Sequence, residues 1–402
     1  MGRRVLVAGA GIGGLAGALA CARAGWGVQV IERAAALGEV GAGIQIGPNV
    51  TRLLHGWGLA DGLASVAAFP SHLRVRSAPS GRLLGELRLG DHTQQRYGAP
   101  YATLRRADLH CLLHAALSEQ KGVSLQTGCA LNDFAASNAQ VSVHTPDGRT
   151  LDADILLGAD GLWSAVRQGL LHDGPPRVTG HVAYRAMVLQ RDLPATLRSQ
   201  QISVWLGPDL HVVVYPVCAG EWLNVVGIVQ AAMPGRSGRA TGDAAGDPSD
   251  WNQETAAAGL RLALTRAATP LQDLVRAIHD WRCWVLCDRA PVSGAGQLVQ
   301  GRVALLGDAA HPMRPYLAQG AGMAIEDAAA LGSVLEHGSP GDPQVALQHY
   351  ARQRWQRVAR VQARALRNGQ IFHASGLLRW GRDLALRALG ERVLDLPWLY
   401  RY

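Results

Sequence analysis

The chain has 402 residues, 48% hydrophobic and 17% charged, with 39 basic against 31 acidic side chains for a formal net charge of +8. That size and balance give a globular protein with a sizeable core and exclude a disordered chain. Lys121, the only lysine, sits in a polar turn, which excludes Schiff-base chemistry, and without a GK[ST] signature there is no P-loop.

In chain order, the sequence opens with a strand over Val5–Ala8, a glycine turn, a helix over Gly14–Arg23, a turn at Gly25 and a strand over Gly27–Ile31. That is a βαβ unit, which demands a parallel sheet and a right-handed crossover. The uncharged run from Val5 to Ala22 has the length of a short membrane span or export signal. Its five glycines and the strand behind it predict a nucleotide turn instead, with no membrane partner. In Gly9-Ala-Gly11-Ile-Gly13-Gly14, Gly9 permits the tight turn, Gly11 lets backbone approach a pyrophosphate, and Gly14 lets helix pack on sheet. The pyrophosphate then meets a helix N-terminus, and Glu32 ends the second strand where it accepts from an adenosine ribose. A dinucleotide is implied, without a choice between NAD and FAD.

Leu104–Leu117 has helical periodicity, with Arg106 near its start as a phosphate partner. Val141–Thr145 alternates as a strand, and Asp154–Ala159 reads as a buried strand ending at Asp160-Gly161. From about 177 to 290 short strands follow one another (Ile202–Leu206, Leu210–Val217, Trp222–Val229), an antiparallel pattern. The Gly-, Ala-, Asp- and Pro-rich stretch 231–250 reads as a mobile surface loop. Val303–Leu306 restores the α/β character and ends at Asp308, placed to accept from ribityl hydroxyls. A Pro/Gly loop follows, and a helix is predicted after Gly322. The tail is helical, and Arg357, Arg360, Arg364 and Arg367 share one helix face, which reads as a solvated stripe.

The fold class is therefore α/β: a Rossmann-like dinucleotide domain interrupted by an antiparallel substrate domain, with a helical tail. The expected boundaries are nucleotide-binding 1–70, 101–176 and 291–342, substrate-domain 71–100 and 177–290, and a C-terminal helical region 343–402. Six cysteines show neither CxxC spacing nor a His-rich cluster, so they read as small hydrophobes in a reducing cytoplasm, with no metal site. No nucleic-acid motif is present.

Four ordered motifs carry a resemblance that spans essentially the whole chain: GxGxxG with Glu32-Arg33, Arg106-x-Asp-Leu, Asp160-Gly161 and Gly307-Asp308. Together they resemble the single-component FAD-dependent aromatic hydroxylases with the p-hydroxybenzoate hydroxylase fold. The segments Gly41-Ala-Gly-Ile-Gln45, Pro315-Tyr-Leu-Ala-Gln-Gly-Ala-Gly322 and Asn368-Gly-Gln-Ile-Phe-His373 look most like salicylate and 3-hydroxybenzoate hydroxylases. 6-Hydroxynicotinate 3-monooxygenases are close relatives. The resemblance implies FAD held by Gly9, Gly11, Gly13, Gly14, Glu32, Arg33, Arg106, Asp160, Gly161 and Asp308, with the backbone of Gly320 and Ala321 approaching the flavin. NADH or NADPH is implied as a transient co-substrate, O2 as oxidant acting through a flavin C4a-hydroperoxide, and a homodimer as the assembly.

On the strand Leu210–Val217, His211, Val213 and Tyr215 share one face, and His211 lies about 13 Å from Tyr215 along an ideal strand. His211, with an ordinary pKa of roughly 6.5, is the natural base for a phenolic acid. The related nicotinate oxygenases carry a similar His-x3-Tyr but tend to have His where this chain has Gln45, which leaves the hydroxybenzoates ahead. Arg185, Gln319 and Tyr215 are candidate partners for the substrate carboxylate. A flavin oxidoreductase that does not use O2 is the rival reading.

Overall fold

The computed structural model describes residues 3–38, 42–230, 253–255, 257–337 and 342–401. The stretch expected to be a mobile loop lies outside the described residues, as does Gly41. The chain divides into two compact units, one of residues 1–39, 107–177 and 288–365, the other of residues 40–106, 178–287 and 366–402.

The first unit is built on a six-stranded sheet with strands in the order Val299–Gln300, Val303–Leu305, Ile155–Gly158, Arg4–Ala8, Gly27–Ile31, Val123–Gln126. All neighbours are parallel except the first pair. The three central strands are apolar runs buried almost end to end, as a sheet covered on both faces requires. The 18-residue apolar run is thus a strand, a turn and the helix Ile12–Arg23. No described helix is long and apolar enough to cross a membrane.

Helix Gly320–His337 starts three residues before the position read from sequence. Gly320 and Gly322 sit in the first turn, where backbone N–H groups have no intrahelical acceptor to lose. The helical pattern over Leu104–Leu117 also resolves differently. Ala102–Arg105 is a strand and the helix begins at Arg106, because Gly43–Ile46 pairs with that strand and tertiary pairing overrides local periodicity.

The second unit carries an eight-stranded sheet in the order Gln253–Thr255, Trp281–Asp288, Arg177–Leu189, Trp222–Gln230, Leu210–Val217, Ile202–Gly207, His72–Ser77, Leu83–Arg88. Ile202–Gly207 and His72–Ser77 are parallel. One sheet face is the core: Leu210, Val212, Val214 and Val225 pack with Leu260, Leu271, Leu274 and Trp281. Strand alternation therefore commits His211, Val213 and Tyr215 to the opposite face. The two-stranded antiparallel ribbon of Gly43–Ile46 and Ala102–Arg105 belongs to this unit, tied to the sheet by the Gly43 amide, which donates to Asn224 Oδ1 at 2.8 Å. The tail comprises Pro343–Phe372, Gly376–Leu389, Glu391–Leu394 and Pro397–Tyr400.

The arginine stripe of the long helix is only partly solvated. Arg360 and Arg367 are exposed, but Arg357 donates two hydrogen bonds of 2.6 Å to Glu326, which is fully buried. One turn earlier, fully buried Arg354 donates to Asp327 at 2.7 Å and Glu326 at 2.9 Å. A sequence stripe cannot distinguish this face from a solvated one, because the pairing carboxylates lie on another helix.

Candidate functional site

In the first unit, parallel pairing sets three motifs side by side. Strands Val303–Leu305, Ile155–Gly158 and Arg4–Ala8 are neighbours running the same way, so Gly307-Asp308, Asp160-Gly161 and the glycine turn emerge at one edge of the sheet. Their fit is tight: a Cβ on Gly9, whose φ is +103°, would stand 2.5 Å from the Ala159 carbonyl oxygen. One on Gly14 would stand 1.9 Å from the Gly9 carbonyl oxygen. Gly13 and Gly307 both face Ala324.

Gly11 behaves oppositely. A Cβ there would meet nothing within 4 Å, and its φ of −70° suits any residue. It is also the N-cap of Ile12–Arg23, which has neither a side-chain cap nor an acid in its first turn. An open, uncapped, uncountered helix N-terminus is an anion site of the kind a pyrophosphate fills. The residues present therefore fit a bound dinucleotide. Gly161 and Gly320 likewise have open space where a Cβ would be.

Glu32 reaches back to this turn, accepting from the amides of Ala10 at 2.7 Å and Ala34 at 2.9 Å. A carboxylate has about four acceptor sites, so ribose hydroxyls remain within its capacity. Arg33, next to it, is exposed. His110, which the sequence reading missed, bonds through Nε2 with the Ala10 carbonyl at 2.7 Å and braces the turn from behind. Asp160 serves the protein first. It accepts from Ser164 Oγ at 2.5 Å and from the amides of Ala165 and Val166 at 2.7 and 3.1 Å, capping helix Ala165–Leu171. Burial nevertheless pushes its pKa up against those hydrogen bonds. Arg167 links this motif to the next, donating to the carbonyls of Ala309 and Ala310 at 3.0 and 2.5 Å and to Asp173 at 2.7 Å. Asp308 is half-buried in the turn Gly307–Ala309, and Gln319 is buried just before Gly320 and Ala321.

In the second unit, cross-strand registry defines the face that carries His211. Val213 pairs with Val226 and Val226 with Arg185, while Tyr215 pairs with Asn224 and His211 with Ile228. His211, Tyr215, Arg185 and Asn224 are buried, whereas Val213 and Val226 between them are only half-buried. The result is an apolar floor with His at one end, Tyr and Asn at the other and Arg at the side. Idealised spacings make it about 13 Å by about 10 Å. Arg185 stacks over Trp284 at 5.1 Å. The Asn224 amide nitrogen is buried without a hydrogen-bond partner among the described residues, its oxygen being taken by Gly43.

His211 does not keep its ordinary pKa. Burial, then neighbouring His373 and His181, hold it well below the usual imidazole value, so it is neutral. Its Nδ1 bonds with His373 Nε2 at 2.8 Å. Burial pushes the Tyr215 phenol up despite the opposing charge of Arg185, so it stays protonated. Gln45 is on the strand Gly43–Ile46, whose Gly43 abuts Asn224 and Tyr215, and accepts at 2.9 Å from Tyr101 Oη. Arg106 opens its helix, its amide donating to the Ala42 carbonyl at 2.7 Å.

Residues 3–365 match the family described as FAD binding domain. The chain is 37% identical over 398 residues to a 3-hydroxybenzoate 6-hydroxylase of Polaromonas naphthalenivorans, covering 98% of this chain and 95% of that one. To a 6-hydroxynicotinate 3-monooxygenase of Bordetella bronchiseptica it is 36% identical over 362 residues, 89% of each. The crystal structure of Klebsiella pneumoniae HpxO with FAD and uric acid superposes with a TM-score of 0.82 at 26% identity, over 98% of this chain and 94% of that one.

Proposed function

The chain belongs to the FAD binding domain family, and on that premise we propose that it is a monooxygenase hydroxylating a small aromatic acid that already carries a ring hydroxyl. NADH or NADPH is the transient reductant and O2 the oxidant. Bound FAD supplies hydride acceptance and oxygen activation. The Gly9–Gly14 turn, Glu32, Arg33 and Asp308 would hold it.

The observation that carries this reading is the half-buried valine floor bounded by His211, Tyr215 and Arg185. Its size suits a single ring. Arg185 is a permanent cation for the carboxylate. Tyr215, protonated, donates a hydrogen bond to a substrate oxygen. His211, neutral and bonded through Nδ1, takes the ring hydroxyl's proton at Nε2 and so raises the ring's electron density for attack on activated oxygen. Exclusion of water by the apolar floor protects that chemistry.

The relatives named for 3-hydroxybenzoate and 6-hydroxynicotinate both suit such a floor. Gln45 with its oxygen already engaged by Tyr101 supports the hydroxybenzoate class. The assembly within this proposal is a homodimer. Helix Gly376–Leu389 turns Leu377, Trp380 and Leu384 outward at 89, 69 and 68% exposure and Arg382 inward, an apolar face larger than scattered surface residues make. Light scattering on the purified protein is expected to give twice the chain mass.

The test supplies FAD-loaded protein with 3-hydroxybenzoate, salicylate or 6-hydroxynicotinate and follows NAD(P)H oxidation, product and H2O2. One hydroxybenzoate is expected to stimulate oxidation and be hydroxylated with little H2O2. His211→Gln is expected to cut that rate about 10²–10⁴-fold, the usual worth of a positioned base. Stimulation by none of the three acids would refute the substrate class.

A further inference from the structure

Three imidazoles from separate stretches of chain gather in the second unit. His211 on Leu210–Val217 bonds through Nδ1 with Nε2 of His373 at 2.8 Å. His373 directly follows the long helix ending at Phe372, and its ring centre lies 5.3 Å from that of His181. The Phe372 ring packs against His211 in a T-shaped arrangement with ring centres 5.3 Å apart, walling the pair with apolar surface. His181 Nδ1 lies 3.1 Å from the Thr179 carbonyl oxygen. A carbonyl only accepts, so Nδ1 of His181 carries the proton and its Nε2 is an acceptor. His211 and His373 are 1 and 9% exposed, while His181 is half-buried, so access to water rises along the row.

We propose that His373 and His181 form a proton relay that carries the substrate's ring-hydroxyl proton from His211 to solvent. The proposal rests on the reading of His211 as the base. The steps balance without any change of oxidation state. The substrate O–H bond breaks as His211 Nε2–H forms, and His211 Nδ1–H breaks as His373 Nε2–H forms. The proton on the other nitrogen of His373 leaves to His181 and from there to water. In a bond between two imidazoles one nitrogen donates and the other accepts, so a proton entering at one end and leaving at the other restores the starting pattern after ring reorientation.

The physical need for a relay is burial. His211 is a poor place to keep a proton, because burial and its two histidine neighbours disfavour the imidazolium. Without an exit the proton returns to the substrate oxygen. Other ionisable groups near the row are Tyr215 and Arg185 on the same sheet face, and Arg382, which donates to the carbonyls of Ile371 and Phe372 just before His373. Asp209 is exposed, and its amide donates to the His373 carbonyl.

The experiment uses FAD-loaded His373→Gln and His181→Gln with 3-hydroxybenzoate, recording kcat and KM against pH alongside flavin content. Glutamine keeps hydrogen-bonding capacity but cannot pass a proton. His373→Gln is expected to retain flavin and a KM within about twofold, while kcat falls about hundredfold near neutrality. The loss shrinks as pH rises, because hydroxide then takes the proton unaided. Added imidazole partly restores kcat in His373→Gly, which leaves room for it. His181→Gln is expected to lose about threefold to tenfold in kcat, and more buffer base lessens the loss. Wild-type kcat and pH profile in His373→Gln, with His211→Gln still impaired, would overturn the relay. Wild-type behaviour in both variants would instead overturn the role of His211. Should His373→Gln fail to hold flavin, His181→Gln decides, and wild-type kcat in every buffer overturns the relay there.

Discussion

Gly11→Ala yields a protein that folds normally and binds FAD poorly, whereas Gly14→Ala damages both folding and binding. The added methyl at position 11 meets no protein atom within 4 Å, and the backbone there is one alanine adopts freely. It occupies only the space in front of the uncapped helix N-terminus. At position 14 the same methyl stands 1.9 Å from the Gly9 carbonyl oxygen, so helix Ile12–Arg23 must back away from the turn. Overpacking of that kind costs about 1–3 kcal/mol or more. The two variants are compared by flavin content, FAD titration and melting of the apoprotein. Gly11→Ala is expected to weaken FAD by about tenfold to hundredfold, equivalent to roughly 1.4–2.8 kcal/mol, with the apoprotein melting unchanged. Unaltered FAD affinity in Gly11→Ala would mean that the turn is not the pyrophosphate cradle.

Arg354→Met destabilises the first unit by about 3–5 kcal/mol, the cost of removing one partner from a buried ion pair. Arg354, Asp327 and Glu326 have no exposure at all, and Arg354 is shared between the two carboxylates. Asp327 also accepts from His311 and from the Gly307 amide, so the defect reaches the turn that holds Asp308. Arg352→Met, exposed on the same helix, is the control and changes stability by less than about 0.5 kcal/mol. Acidification probes the same network. Burial opposes ionisation of Asp327, but His311 and Arg354 outweigh it and lower its pKa to about 2, against an ordinary 3.8. A depressed carboxylate binds protons more readily in the unfolded chain, so its contribution is complete above about pH 4 and is lost as pH falls toward about 2. Thermal melts from neutral to acidic pH are expected to show that loss in the native chain. In Arg354→Met that acid-dependent loss is expected to shrink, because less charge holds the carboxyl below its unfolded value.

What could be read from sequence was whatever is local. The glycine turn, the acidic ends of strands at Glu32, Asp160 and Asp308, and the alternation of His211 with Tyr215 each follow from a few adjacent residues. The two sheets follow from apolar runs in one region and alternating strands in the other. What escaped were contacts between distant stretches. His373 meets His211 across 162 positions, and the histidine near the start of strand Arg177–Leu189 carries no motif. Arg354 and Glu326 show no signature before folding brings two helices together, which is why a solvated stripe was expected where Arg357 is an ion-pair partner. The capping of helix Ala165–Leu171 by Asp160 was also hidden, since an acid after a strand looks the same whether it serves a ligand or a helix.

The central claim is that oxygen from O2 enters the ring of a hydroxylated aromatic acid. The most direct measurement runs the NAD(P)H-driven reaction of FAD-loaded protein with 3-hydroxybenzoate under isotopically labelled O2 and weighs the product by mass spectrometry. One labelled oxygen atom in the new hydroxyl, and no product under anaerobic conditions, is the predicted result. Product that forms without O2, or whose new oxygen comes from water, would contradict the account and make the protein a flavin oxidoreductase of another kind.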